Sequence, residues 1–135
     1  MKKHIIAVLI LMGVSINQIH VAQCIYFEAR GEGPEGWKVV MATIYTRVMS
    51  TDYPDTVHDV IWQPSQFSWT QDDKSDVPKN KEVFRRILTW VQQQSPKELA
   101  KMGVTHYHSA SIRPYWANHL AFLGKVGNHL LYRDT

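Results

Sequence analysis

The apolar pattern changes its period at Gly103, which limits the chain to a helical body followed by a small sheet. From Asn17 to Arg30, Ile19, Ala22, Ile25, Tyr26 and Ala29 recur at helical spacing, which predicts a first helix ended by Gly31. Gly33-Pro34 opens a second helix with proline in its first turn. Trp37, Val40, Met41, Ile44 and Val48 give it an apolar stripe to about Ser50. Thr56 caps a short helical turn reaching Trp62, and a third helix carries Val83, Ile87, Trp90 and Val91 on one side. Ser95-Pro96-Lys97-Glu98 is a capping box opening a short helix that Gly103 stops. Val104–Ser109 then alternates as a strand does, and Phe122–Val126 and His129–Arg133 flank Gly127-Asn128, a two-residue hairpin signal. The expected class is α+β, mainly helical with a small C-terminal antiparallel sheet.

At 135 residues the chain has room for one domain with a core of its own. A hydrophobic content of 44% excludes disorder, and the single cysteine, Cys24, excludes a disulfide framework. The net charge is +3, but Lys2 and Lys3 precede the apolar run Ile5–Met12 and Gly13-Val14-Ser15, the pattern of an export signal. Without those two lysines, 13 basic side chains face 12 acidic ones, which gives no footprint for nucleic acid. The run is short for a spanning helix. Residues 1–15 are therefore expected to be a signal peptide or an uncleaved anchor, and 16–135 the functional domain, acting in the periplasm or at the cell wall. Any membrane contact is expected through that first segment alone, and the domain is expected to be a monomer.

The segment Cys24-Ile25-Tyr26-Phe27-Glu28-Ala29-Arg30-Gly31-Glu32-Gly33 is the most unusual. Glu28 falls in the last turn of an otherwise apolar helix. Partial desolvation there favours the protonated carboxyl, and the negative end of the helix dipole pushes the same way. A carboxyl that keeps its proton near neutrality suits a general acid, the role that a glutamate in a hydrophobic pocket plays in lysozyme. The competing reading is an ordinary ion pair with Arg30, Arg47 or Arg133. Glu32, four positions on, is a tempting second carboxylate. It would approach a substrate from the same side as Glu28, so it reads better as an ion-pairing or loop-fixing residue.

The same segment resembles the signature of the cell-wall hydrolase family that includes the spore-cortex-lytic enzymes. The resemblance continues through Gly36, Tyr45-Thr46-Arg47-Val48, Tyr53–Val57 and Val60-Ile61-Trp62-Gln63-Pro64-Ser65-Gln66-Phe67-Ser68-Trp69. It resumes at Thr105-His106-Tyr107-His108, Arg113–Ala117 and Gly127-Asn128-His129-Leu130-Leu131-Tyr132-Arg133. It implies a lysozyme-like domain that cleaves peptidoglycan glycan strands, with the glutamate at position 28 as general acid. The family commonly has asparagine where this chain has Thr46, so no role is carried to Thr46.

A glycosidase with one carboxylate can still work when the substrate supplies the nucleophile. The expected activity is therefore that of a lytic transglycosylase, or of a muramidase if water attacks, with Glu28 as acid and then base. Gln66 and Ser68, in the long loop Gln63–Lys79, offer amide and hydroxyl groups to sugars. With Tyr26, Glu32, His106, His108, Asn128 and His129 they form the expected substrate-binding set. No metal and no organic cofactor is expected. Two rivals remain: a zinc amidase using His106, His108 and His129, and a non-catalytic wall-binding module.

Overall fold

The computed structural model describes Lys3, Ile6 and residues 13–135; the expected leader, residues 1–15, falls mostly outside the described residues. The element order is α1 (Ile16–Ala29), α2 (Gly33–Val48), α3 (Val57–Ile61), α4 (Lys81–Gln92), α5 (Pro96–Ala100), β1 (His106–Ser109), β2 (Ala121–Val126) and β3 (His129–Arg133). Short 3-10 turns at Ser68–Thr70 and Tyr115–Asn118 punctuate the two long loops. The class is the α+β one that the change of period predicts.

Side-chain caps begin every helix but α2, which opens on Gly33-Pro34. Ser15 and Gln18 form a capping box on α1, a start the apolar spacing alone misses. The side chains of Thr56, Asn80 and Ser95 accept from the N–H groups of Asp59, Val83 and Glu98 to open α3, α4 and α5. α1 is the central helix, packing on α2, α3 and α4, while α2 carries α5 and touches strands β2 and β3. Ile19, Ile25, Met41, Ile44, Ile61 and Ile87 are fully buried between them. Among the described residues no helix is long and apolar enough to cross a membrane.

The sheet is antiparallel in the order β1-β3-β2, so the last strand lies in the middle. Gly127, at φ +55°, makes the tight turn between β2 and β3 that the Gly-Asn pair predicts. In β1 against β3, Tyr107 pairs with Leu131 and Ser109 with His129, while His106 pairs with Tyr132 and His108 with Leu130. Directly opposed residues share a face. The inner face therefore carries Tyr107, Leu131 and His129, and the outer face carries His106, His108 and Tyr132. Leu131 belongs to the main core on the inner side. On the outer side the rings of His106, His108 and Tyr132 meet Trp116 from the 3-10 turn, at 5.3, 5.7 and 5.5 Å between centroids.

Candidate active site

The last turn of α1 is held from outside the helix, which fixes the position of Glu28. Helix ends leave carbonyls without an intrahelical partner. Here the Trp37 indole N–H donates to the Ala29 carbonyl at 3.1 Å, and the Arg30 guanidinium donates to the Tyr26 carbonyl at 3.2 Å. Cys24 lies one turn below Glu28 and is fully buried, and Phe27 stacks on Trp69 at 5.0 Å. Glu28 thus stands on an apolar floor.

Tyr107 approaches from β1, 79 positions away in the chain, and its hydroxyl donates to Glu28 Oε1 at 2.7 Å. Burial raises the Glu28 carboxyl above its ordinary value, and the Tyr107 hydrogen bond offsets part of the rise by favouring the charged form. Burial, with Glu28 beside it, pushes the Tyr107 phenol well above its usual range, so this hydroxyl remains a donor. Among the described residues Glu28 takes part in no ion pair. The three arginines that might have neutralised it are engaged or placed elsewhere. Arg30 lies over the Tyr26 ring, 4.9 Å from its centroid. Arg47 donates from Nε and Nη2 to the Thr105 carbonyl, at 3.0 and 2.7 Å, and from Nη1 to Gln66 Oε1 at 2.8 Å. The Arg133 guanidinium sits against Gly103.

Two depressions meet at Glu28. One, of about 440 Å3, is lined by Tyr26, Arg30, Ser68, Trp69, Asp72, Lys74 and Lys79 among others. The other, of about 370 Å3, is lined by Thr43, Arg47, Gln66, Phe67, His106, Tyr107, Tyr115 and Trp116 among others. Together they form a groove with the protonatable carboxyl at its middle. Burial, with the Arg47 charge nearby, lowers the His106 imidazole below its usual value, so it stands neutral in the second depression.

Of the residues singled out in the sequence, the structure brings Tyr26, Gln66, Ser68 and His106 into the groove with Glu28. Tyr26 is largely buried there, its hydroxyl accepting from the Asn80 backbone N–H at 2.9 Å. Glu32, His108, Asn128 and His129 line neither depression. Glu32 sits at the start of α2 without a side-chain capping bond. The Asn128 amide faces Ser109 Oγ at 3.5 Å across the hairpin end. His108 is buried with both ring nitrogens engaged, Nδ1 with the Ser109 carbonyl and Nε2 with the Tyr132 hydroxyl, each at 2.8 Å. His129 packs edge-on against Tyr107 at 5.3 Å on the opposite face of the sheet.

That register corrects the histidine triad considered for zinc. His106 and His108 point away from His129, and among the described residues no group of three or more His, Cys, Asp or Glu side chains is placed to hold a metal ion. Tyr107 is the residue the sequence reading passed over. Its signal was present in the alternation His106-Tyr107-His108, in which the middle residue must face opposite to its neighbours.

Comparison with known proteins places the domain. The cell wall hydrolase family profile matches residues 31–132. The chain is 30% identical over 120 residues to the spore cortex-lytic enzyme of Halalkalibacterium halodurans, covering 87% of this chain and 35% of that protein. It is 28% identical over 119 residues to the spore cortex-lytic enzyme of Bacillus subtilis, covering 87% of this chain and 38% of that protein. The chain thus spans little more than a third of the length of these curated relatives. Among solved structures it resembles the catalytic domain of the germination-specific lytic transglycosylase SleB from Bacillus anthracis. That match has a TM-score of 0.66 and 27% identity, over 90% of this chain and 98% of that one. The catalytic domain of Bacillus cereus SleB matches with a TM-score of 0.65 and 26% identity, over 89% and 92%. With its profile, its relatives and its fold in agreement, the chain belongs to the cell wall hydrolase family.

Proposed function

We propose that the domain cleaves the glycan strands of peptidoglycan as a lytic transglycosylase, with Glu28 as general acid and then general base. The observation that carries this reading is a carboxyl raised by burial, free of ion pairs among the described residues, at the middle of an open groove. Membership of the family and the likeness to a SleB catalytic domain support the substrate.

Glu28 donates its proton to the glycosidic oxygen as the bond from that oxygen to the anomeric carbon of muramic acid breaks. The carboxylate left behind is stabilised by the Tyr107 hydroxyl, whose hydrogen bond strengthens as charge develops on Oε1. Glu28 then takes the proton from the 6-hydroxyl of the same sugar, whose oxygen bonds to the anomeric carbon and closes a 1,6-anhydro ring. The nucleophile is intramolecular, so proximity replaces a second carboxylate. Among the described groove-lining residues Asp72 is the only other carboxylate, and it lies on a loop in the first depression alone. Gln66, held by Arg47, and Ser68 are placed to hydrogen-bond sugar hydroxyl and acetamido groups on either side of the cut. Tyr26 and His106, which line the groove, complete the proposed substrate-binding set; Glu32, His108, Asn128 and His129 line neither depression and are given no contact with the strand. The site of action proposed is the periplasm or cell wall, reached through an N-terminal export segment, with the domain working as a monomer.

Mass spectrometry of the products from purified peptidoglycan tests the reaction. The expected product carries 1,6-anhydro-muramic ends. Reducing ends would assign the attack to water and a muramidase, and freed peptides would overturn glycan cleavage in favour of an amidase.

A further inference from the structure

The two arms of the groove differ in charge. Arg30, Lys74 and Lys79 line the first together with Asp72, and all three cations are exposed. Among the described residues none of the three takes part in an ion pair, whereas exposed cations elsewhere do, as Arg85 does with Glu82 and Lys101 with Glu98. Arg30 is held in place by its bond to the Tyr26 carbonyl and by the ring beneath it. Asp72 turns the loop, its carboxylate accepting from the Lys74 backbone N–H at 3.1 Å. In the second arm the one permanent cation, Arg47, is 4% exposed and committed to Thr105 and Gln66. The rest of that arm presents aromatic and uncharged groups, among them Tyr115, Trp116 and a neutral His106.

In intact peptidoglycan the lactyl carboxyl of muramic acid is tied up in the amide to its stem, so the sugars themselves carry no charge. The carboxylates of peptidoglycan sit on the peptide stems attached to muramic acid. We propose that the arm lined by Arg30, Lys74 and Lys79 is an anion subsite that takes the stem carboxylates of the muramic acid on that side of the cut, while the aromatic arm takes uncharged sugar faces. This rests on the reading of the domain as a glycan-strand-cleaving enzyme. Its consequence is a groove with a direction: a strand with stems enters one way round, and a strand without carboxylates loses that preference. Cations on an open surface act weakly one by one and are screened by salt, so the subsite works as a set and shows most at low ionic strength.

The test uses two substrates, peptidoglycan glycan strands with stems and the same strands stripped of stems by an amidase, with the lactyl carboxylates this frees converted to neutral amides. Wild type is compared with the double variant Lys74→Gln, Lys79→Gln, which leaves the Arg30 bond to the last turn of α1 in place. A control variant, Arg85→Gln, Arg86→Gln, makes the same change in net charge away from the groove, and melting curves confirm folding of both. The double variant is expected to raise KM on stem-bearing strands by roughly fivefold at low salt, the sum of two weak exposed contacts, with kcat and the KM on stripped strands unchanged. The wild-type preference is expected to fade by about 0.5 M salt. An equal loss on both substrates, no loss on either, or the same loss in the control overturns the subsite while leaving glycan cleavage standing. Failure of the wild type to cut either substrate overturns the proposed function and the subsite with it.

Discussion

The two faces of the three-stranded sheet are built from alternate residues of the same few strands, yet only one of them reaches the carboxyl. The inner face sends Tyr107 to Glu28 and seats Leu131 and His129 against the helices. The outer face stacks His106, His108 and Tyr132 under Trp116 and Phe122. A shift of one residue in register would exchange the two sets, bringing histidines to the glutamate and the tyrosine to solvent. The difference shows that the chemistry of this site is decided by pairing register as much as by residue type. His106, Tyr107 and His108 are adjacent in sequence, but two of them lie on the outer face and one on the inner.

Substitutions can break or sharpen this contrast. The largest effect is expected at Glu28. Glu28→Gln keeps the shape and an acceptor for Tyr107 but carries no transferable proton, so kcat on peptidoglycan should fall about 10²–10⁴-fold with the fold intact by circular dichroism. The same change should stabilise the protein above neutral pH. Burial raises the folded-state value of Glu28, so its contribution is fully favourable below the ordinary carboxyl pKa and is lost as pH rises through the raised value. Thermal melts should therefore show the variant above wild type at pH 8, with the gap closing by about pH 4.

Next comes the inner-face donor. Tyr107→Phe removes a hydrogen bond that favours the charged carboxyl, so Glu28 should titrate higher still. The alkaline limb of the kcat/KM profile is expected to move up in pH. The peak rate should fall about tenfold, since one hydrogen bond to a charged group is lost in the step that forms the carboxylate. A purely structural Tyr107 would leave the pH profile where it is.

The outer face should behave oppositely. His108→Phe loses the bonds to the Ser109 carbonyl and the Tyr132 hydroxyl and leaves buried partners unpaired, at a cost of about 1–3 kcal/mol in stability. Its kcat is expected to stay within about twofold of wild type at a temperature where both are folded; a large drop in kcat would give the outer face a part in the reaction. The smallest effect expected is that of a chelator. Activity after dialysis against EDTA should equal that of the untreated enzyme, and a loss restored by zinc would reinstate the histidines as ligands.

The contrast between the faces also marks what could be read in the sequence. The helices follow from apolar spacing and from Thr56 and Ser95 as caps, because those signals are local. Glu28 stands out for a local reason too: a carboxyl in an apolar last turn is desolvated whatever packs beyond it. Tyr107 and Arg47 depend on what meets them from far along the chain, 79 positions in one case and 58 in the other, and no spacing rule reports that. Ser15 was legible as a cap but was absorbed into the small residues at the end of the apolar run. The histidines illustrate the same limit. Their strand could be read from the sequence, and its partner's register could not, so His129 was grouped with His106 and His108 although it points the other way.

The central claim is that burial keeps the Glu28 carboxyl protonated to a higher pH than an ordinary glutamate in the absence of substrate. Carbon-13 NMR of glutamate-labelled protein, titrated from acid to alkaline pH, measures this directly, with Glu28→Gln identifying the resonance. The account predicts that this one carboxyl titrates above the other glutamates and that its midpoint coincides with the alkaline limb of kcat/KM. A Glu28 resonance titrating with the rest near about pH 4 would contradict it.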